Sequence, residues 1–185
     1  RISPAAKQMI RAAAQAQDKT VSEFLLDGCP GERVIPDHVA RVAHDVLRHR
    51  VRLNVQAPFF LTQQFARDWV GRGTQGRVLF TGSINGRLAE PNHAAYDTSK
   101  GAVEMMVKTL CVSLAPKGIR VNGMAPGLVR TPLTDAFLSD PKAMAWMQMH
   151  TPNGAVPGPD VCGEAAVFLL GDAAKDVTGQ IFAVR

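Results

Sequence analysis

Residues 76–103 read GRVLFTGSINGRLAEPNHAAYDTSKGAV and contain the clearest sign of how the chain is built. The apolar run RVLFT at 77–81 has the composition of a short buried strand. A polar loop follows, and helical periodicity then extends from Tyr96 to Leu114. Lys117-Gly118 is typical of a helix end, where a cation and a glycine are favoured. The segment predicts a strand, a loop and a long helix in that order.

The same alternation continues on both sides of this segment. Residues 51–70 predict a long amphipathic helix. The runs IRVNGM at 119–124 and QIFAV at 180–184 predict two further strands, and 161–170 predicts a helix between them. Residues 128–160 contain five prolines and are expected to form a long irregular stretch. Strands that alternate with helices indicate an α/β fold with a parallel sheet.

The first 45 residues have a different character. Two capping patterns, Ser3-Pro4 and Thr20-x-x-Glu23, predict the starts of two short helices. Residues 37–50 predict a third helix. We therefore divide the chain into a helical N-terminal segment at 1–45 and an α/β domain at 46–185.

The composition excludes several classes of protein. Of 185 residues, 46% are hydrophobic and 20% are charged, which rules out wholesale disorder. The net charge of +5 is spread thinly along the chain, so nucleic acid is not an expected partner. Three irregularly spaced cysteines argue for a reducing, cytoplasmic location. No apolar run is long enough to cross a bilayer, so no membrane association is expected, and no metal site is predicted.

Gly71-x-Gly73-x-x-Gly76 matches a dinucleotide-binding motif as a string of letters. That motif works only when it follows a strand and opens a helix, because the helix N-terminus meets the pyrophosphate. Here the glycines follow a predicted helix and open a predicted strand. We interpret them as a turn and not as a phosphate site.

The candidate catalytic residues lie in Tyr96-Asp97-Thr98-Ser99-Lys100, which includes the only tyrosine of the chain. Side chains four residues apart on a helix share a face. A neighbouring ammonium favours the ionised form of a phenol, which can then exchange a proton near neutral pH. Ser83 follows a strand end, where the loops of an α/β sheet line the ligand crevice. The alternative is that Tyr96 packs on the helix and Lys100 is solvated.

Four segments together resemble the second half of a classical short-chain dehydrogenase/reductase. They are RLNVQAPFFLTQ at 52–63, the 76–103 segment, APKGIRVNGMAPGLVRTP at 115–132 and AAVFLLGDAAKDVTGQIFAV at 165–184. The resemblance implies a Rossmann-like, doubly wound parallel sheet and hydride transfer between NAD or NADP and an alcohol or carbonyl substrate. The T-G-x-x-x-G-x-G motif of the family's first half is not found, so the sheet is expected to lack its N-terminal strands.

The same resemblance gives each site residue a role. Tyr96 would be the general acid and base, and Lys100 would prime it and hold the nicotinamide ribose. Ser83 would orient the substrate oxygen. Asn54 would position a water in a proton relay, although an asparagine within a helix can also serve a backbone group.

A second group of residues resembles the segment that meets the nicotinamide carboxamide. Val129 would act through its backbone and Thr131 through its hydroxyl. Pro126 and Gly127 belong to this segment by resemblance, but they are equally consistent with a plain strand-ending turn. Asn122 is interpreted as a support for its strand.

The resemblance also suggests a substrate and an assembly. The SINGRLAEPNHAAYDTSKGAV run is most similar to sugar- or polyol-type members, and residues 132–160 occupy the family's substrate lid. Glu90 and His93 would either meet a polar substrate or be solvated loop residues. Helices at 51–70 and 96–114 pair between subunits in the family, which implies a homo-oligomer.

Residues 1–27 resemble the helices of a ribbon-helix-helix antitoxin, and two packing helices of no specific function are an equal alternative. This juxtaposition leaves a second hypothesis open. The chain would then be a catalytically inactive reductase remnant that acts as an interaction or DNA-binding protein.

Overall fold

The computed structural model describes residues 44–184 together with Gln8, Arg11, Ala12 and Gln15. The chain divides into two compact units, 1–48 and 49–185. The four described residues of the first unit's N-terminal part are helical and exposed. The remainder of the helices predicted within 1–43, and the antitoxin-like strand residues, lie outside the described residues.

Three parallel strands form the sheet. They are β1 (Gly76–Thr81), β2 (Ile119–Pro126) and β3 (Ile181–Val184) in the order β1-β2-β3. Gly76 is opposite Ile119, and Gly123 is opposite Ile181. The predicted α/β fold with a parallel sheet is therefore confirmed.

The described part of the chain contains six α-helices. They are α1 (His44–Val51), α2 (Ala57–Arg72), α3 (Ala94–Leu114), α4 (Pro132–Leu138), α5 (Pro141–His150) and α6 (Val161–Leu170). A π-helical turn at Arg52–Gln56 joins α1 to α2, so the long helix predicted at 51–70 is interrupted near its start. No described helix is both long enough and apolar enough to span a bilayer.

The expectation of an irregular stretch over 128–160 is wrong for α4 and α5. Pro132 and Pro141 each occupy the first position of a helix. A proline there loses no hydrogen bond, because the first N–H groups of a helix have no partner within it. Thr131 and Asp140 cap the two helices through their side chains. The prolines that suggested disruption mark helix starts.

The core lies between the sheet and the helices α2 and α3. Val107 of α3 and the β2 residues Ile119 and Val121 are fully buried, and Ala66 of α2 and Phe80 of β1 pack in the same cluster. Fully burying one such large aliphatic side chain contributes about 1.5–3 kcal/mol. This packing fixes α3 against the sheet. The first turns of α3 lie beside the carboxyl end of β1.

Two arginines form hydrogen bonds between the amino end of the sheet and the carboxyl end of α6. Arg120 donates to the carbonyls of Leu169 (3.0 Å), Gly171 (3.1 Å) and Val177 (3.1 Å). Two of these are carbonyls at the helix end, which have no partner within the helix. Arg77 donates to the Leu170 carbonyl at 2.8 Å.

Asn122 of β2 is buried, with 1% of its surface exposed. Its Nδ2 donates to the Val177 carbonyl at 2.9 Å, and its Oδ1 accepts from the Gln180 N–H at 3.0 Å. The prediction that Asn122 supports its strand is confirmed.

Two of the three glycines, Gly73 and Gly76, have structural explanations. Gly73 ends α2 with a φ of +65°, a conformation that favours glycine. A Cβ on Gly76 would lie 2.2 Å from the ring of Trp69. The motif follows a helix and opens a strand, as predicted.

Candidate active site

Tyr96 and Lys100 lie one turn apart on α3, and both are half-buried. Lys100 Nζ is 5.7 Å from the centroid of the Tyr96 ring. The same Nζ donates to the carbonyl of Thr81, the last residue of β1, at 3.0 Å. This bond anchors the ammonium at the carboxyl end of the sheet, beside the phenol that it was expected to influence.

Two effects lower the pKa of Lys100. Burial lowers the pKa of Lys100, and the nearby guanidinium of Arg50 lowers it further. Arg50 Cζ also lies 5.7 Å from the centroid of the Tyr96 ring. Two cations therefore flank one aromatic ring, whose negative faces attract them. Sequence reasoning missed Arg50, because nothing in its local pattern distinguishes it from neighbouring arginines.

Asn54 lies in the π-helical turn and reaches α3 through another side chain. Its Nδ2 donates to Ser99 Oγ at 2.9 Å, and Ser99 Oγ donates to the Tyr96 carbonyl at 2.8 Å. Ser99 is completely buried. Asn54 thus contacts the turn that holds Tyr96 and Lys100, and π-helical insertions are frequent at functional sites. The role of Ser99 was missed, although its position directly before Lys100 placed it in the motif.

Ser83 follows the end of β1 and begins a 3₁₀ turn at Ile84–Gly86. Its Oγ accepts the Asn85 N–H at 3.2 Å, which leaves the hydroxyl proton free to be donated. The preceding Gly82 donates to the Met124 carbonyl at 2.7 Å and continues the ladder between β1 and β2. Ser83 is buried, with 7% of its surface exposed, so its direction is fixed by the turn.

Two carboxylates of α3 hold the loop that follows Ser83. Asp97 accepts from Asn85 Nδ2 at 3.0 Å through one oxygen and from the Glu90 N–H at 3.1 Å through the other. Glu104 Oε2 accepts from Arg87 Nε at 2.8 Å. These contacts lie on either side of Lys100 along the helix and fasten the loop to it.

Gly86 allows the loop to approach α3 closely. A Cβ on this residue would lie 3.0 Å from Glu104 Oε1 and 3.1 Å from the Lys100 carbonyl. Glu104 is buried, and its Oε1 has no hydrogen-bond partner among the residues that the structure describes. The loop and the helix therefore form one closely packed unit.

Glu90 and His93 occupy the rim near Tyr96. They are paired with each other, His93 Nδ1 to Glu90 Oε2, at 2.6 Å, and both are exposed. The imidazole lies edge-to-face with the Tyr96 ring, with the centroids 6.3 Å apart. Both side chains are accessible from solvent beside the candidate general acid.

The segment from Pro126 to Thr131 leaves the carboxyl end of β2. Gly127 donates to the Val184 carbonyl at 2.8 Å and so extends the pairing with β3. The Val129 carbonyl accepts from Thr134 Oγ1 at 2.7 Å. The Thr131 hydroxyl caps α4 by accepting the Thr134 N–H. Thr131 therefore has a structural task besides the one that the resemblance implies.

Comparisons with known proteins agree with this architecture. Residues 31–185 match the family model described as enoyl-(acyl carrier protein) reductase. Galactitol 2-dehydrogenase (L-tagatose-forming) of Cereibacter sphaeroides is 34% identical over 183 residues, which cover 97% of this chain and 70% of that protein. Gluconate 5-dehydrogenase of Gluconobacter oxydans is 34% identical over 131 residues, 71% of this chain and 51% of that protein.

Solved structures have a similar architecture. The 4-hydroxyisoleucine dehydrogenase complexed with NADH superposes with a TM-score of 0.77 at 28% identity, over 79% of this chain and 60% of that one. A gluconate 5-dehydrogenase from Burkholderia cenocepacia, in complex with NADP and tartrate, gives 0.72 at 35% identity, over 76% and 55%. The fold is Rossmann-like, and the chain belongs to the short-chain dehydrogenase/reductase family. It spans about half to 70% of the length of the relatives named above.

A second family model, described as antitoxin TacA 1-like, matches residues 1–58. This match overlaps the reductase match over residues 31–58. The N-terminal resemblance noted from the sequence therefore has an independent counterpart.

Proposed function

We propose that this protein is an NAD- or NADP-dependent oxidoreductase that interconverts an alcohol and a carbonyl. The observation that carries the proposal is the Lys100 ammonium, held by the Thr81 carbonyl within 5.7 Å of the Tyr96 ring centroid. In this proposal the ammonium assists Tyr96 in giving and taking a proton. The names of the relatives support a sugar, polyol or sugar-acid substrate.

The residues at the carboxyl end of the sheet suit the nicotinamide and its ribose in NAD or NADP. Lys100 has one acceptor, Thr81, and further N–H donors that ribose hydroxyls can accept. Pro126, Gly127 and Val129 bring backbone groups to the same edge. The described ranges contain no complete T-G-x-x-x-G-x-G turn between a strand and a helix, so no phosphate cradle of that type is found there. The dinucleotide, when bound, supplies the hydride acceptor or donor.

The proposed proton chemistry uses four side chains. The Ser83 hydroxyl donates to the substrate oxygen and fixes its direction. Tyr96 removes the hydroxyl proton during oxidation and returns one during reduction. Lys100 assists this exchange from its position beside the ring. Asn54, bonded to Ser99, supports the helical turn that carries Tyr96, and in the proposed site it positions a water in the proton relay to Lys100.

Replacing the phenol tests the proposal directly. Tyr96→Phe is expected to lower turnover by about 10²–10⁴-fold, the usual contribution of acid–base catalysis. The hydrogen bond from Ser99 to Tyr96 uses the backbone carbonyl, which Tyr96→Phe keeps, so the thermal midpoint should stay unchanged. Turnover is followed through the absorbance of the reduced nicotinamide. A fully active Tyr96→Phe protein would refute the proposal.

We also propose a homo-oligomer in the cytoplasm. An apolar groove of about 510 Å³ lies between α2 and α3 and is lined by Phe59, Ala66, Val70, Leu110 and Leu114. Exposed apolar surface of this kind marks interaction sites. Light scattering should give a mass above that of one chain, and Leu110→Glu should reduce it.

The described cysteines, Cys111 and Cys162, are free thiols, as a reducing compartment requires.

The match of residues 1–58 to an antitoxin model favours a second candidate function. The chain would then be an inactive reductase remnant that binds DNA or a protein. No binding of NAD(H) or NADP(H) at millimolar concentration, together with DNA affinity that falls steeply with salt, would favour this candidate. Cofactor binding with salt-insensitive, weak DNA binding would favour the enzyme.

A further inference from the structure

Arg50 presents an accessible positive charge next to the candidate catalytic phenol. Its Cζ lies 5.7 Å from the centroid of the Tyr96 ring, and the residue is exposed on α1. No carboxylate among residues 46–184 lies at salt-bridge distance from it. Arg72, Arg77, Arg87 and Arg130 all have such a partner. Arg50 therefore differs from these four arginines.

Two carboxylates near Tyr96, among residues 46–184, already have partners. Glu90 pairs with His93, and both oxygens of Asp97 accept hydrogen bonds from the loop. Both cationic groups lie 5.7 Å from the centroid of the Tyr96 ring, Arg50 through its Cζ and Lys100 through its Nζ. An anion that approaches the ring at Arg50 is attracted by its guanidinium, and the charge of Lys100 adds to the positive potential there.

We propose that Arg50 forms an anion-recognition subsite beside Tyr96, and that this subsite takes the carboxylate of a polyhydroxy acid substrate. The inference rests on the proposed function, since it names the substrate class of the same site. A guanidinium binds a carboxylate through two parallel N–H donors, which fixes orientation as well as charge. Substrates that carry a carboxylate are then preferred over neutral polyols of the same length.

Gluconate and glucitol form a matched pair of probes, because they share a six-carbon polyol chain and differ at one end by a carboxylate. Calorimetric titration of the whole chain should show tighter binding of gluconate. In Arg50→Gln the affinity for gluconate should fall by about ten- to a hundredfold, as expected for one charge-assisted contact. Arg50→Lys should recover part of this affinity. Arg52→Gln removes an exposed arginine two residues away and should leave binding unchanged.

Two results would overturn the subsite. One is an unchanged preference for gluconate over glucitol in Arg50→Gln. The other is Arg50-dependent binding of inorganic phosphate with no binding of gluconate, which would assign the cation to a cofactor phosphate. The titration requires no turnover. An inactive protein that keeps an Arg50-dependent preference for gluconate would therefore refute the oxidoreductase proposal but support the subsite. A protein that oxidises neutral polyols without that preference would refute the subsite but support the oxidoreductase proposal.

Discussion

The two ends of the sheet use cationic side chains in opposite ways. At the amino end, Arg120 directs its guanidinium at three backbone carbonyls, and Arg77 adds a fourth together with an ion pair to Asp172. At the carboxyl end, Lys100 has one carbonyl acceptor, and Arg50 has no acidic partner in the described part of the chain. One end satisfies its charges internally, and the other leaves charge available. The first arrangement stabilises the fold, whereas the second is suited to binding.

The largest effect on stability is expected at the amino end. Arg120→Ala leaves three carbonyls without their donor and should lower the free energy of unfolding by about 2–4 kcal/mol. Urea denaturation measures this change. Arg67→Ala removes an exposed arginine of α2 and should change the value by less than about 0.5 kcal/mol. If Arg120→Ala instead removed substrate binding at full stability, the contrast between the two ends would be wrong.

Gly76 tests whether the glycine-rich turn at the amino end is purely structural. In Gly76→Ala the new methyl group would collide with the Trp69 ring, and we expect a loss of about 1–3 kcal/mol. Gly71→Ala is a matched control, because no atom lies within 4 Å of its Cβ position and alanine is the better helix former. It should raise stability by about 0.5–1 kcal/mol. Loss of dinucleotide affinity in Gly76→Ala without loss of stability would restore the phosphate-binding interpretation.

Asp97 tests how strongly the carboxyl end depends on its loop. Asp97→Asn replaces an acceptor of the Asn85 amide or of the Glu90 N–H with a donor, so the loop after Ser83 should loosen. We expect kcat to fall by about tenfold with a smaller change in KM, because misplacement of a reacting group slows the chemical step. Asp68→Asn, which breaks an exposed ion pair within α2, is the control. Equal kinetics for the two variants would contradict the positioning role.

The smallest effect concerns the pH dependence of stability. The pKa of Lys100 is lowered in the folded chain, so the unfolded chain binds more protons between that value and the ordinary one. The stability of the wild-type protein relative to Lys100→Met should therefore rise with pH across this interval. In Arg50→Gln the rise should begin at a higher pH, because one cause of the lowered pKa has been removed. Denaturation curves at a series of alkaline pH values test both statements.

The sequence predicted those elements whose signals are local. The strand at 119–124 and the helix at 161–170 follow from short apolar patterns, and the structure has them as Ile119–Pro126 and Val161–Leu170. The π-helical turn was not predicted, because one extra residue in a helical turn hardly changes the periodicity. The helices α4 and α5 were missed because proline is compatible with either a helix start or a helix break.

The same distinction between local signals and long-range contacts applies to the candidate site. The spacing of Tyr96 and Lys100 predicted their shared face, because it is a property of one helix. The contact between Asn54 and Ser99 joins residues 45 positions apart, and Arg50 reaches the ring of Tyr96 from a different helix. Such contacts depend on how helices cross, which no local pattern encodes. The roles assigned to Ser83, Asn54, Pro126, Gly127, Val129 and Thr131 remain predictions.

The single tyrosine of the chain lies within this site. Any tyrosine-selective reagent, such as a nitrating agent, therefore labels the chain at one position only, and that position is the candidate general acid. The attached nitrophenol would act as a visible-light reporter in a protein that offers no competing chromophore of its kind. Occupancy of the crevice then becomes measurable as protection from labelling, without a substrate, a coupled assay or a second probe.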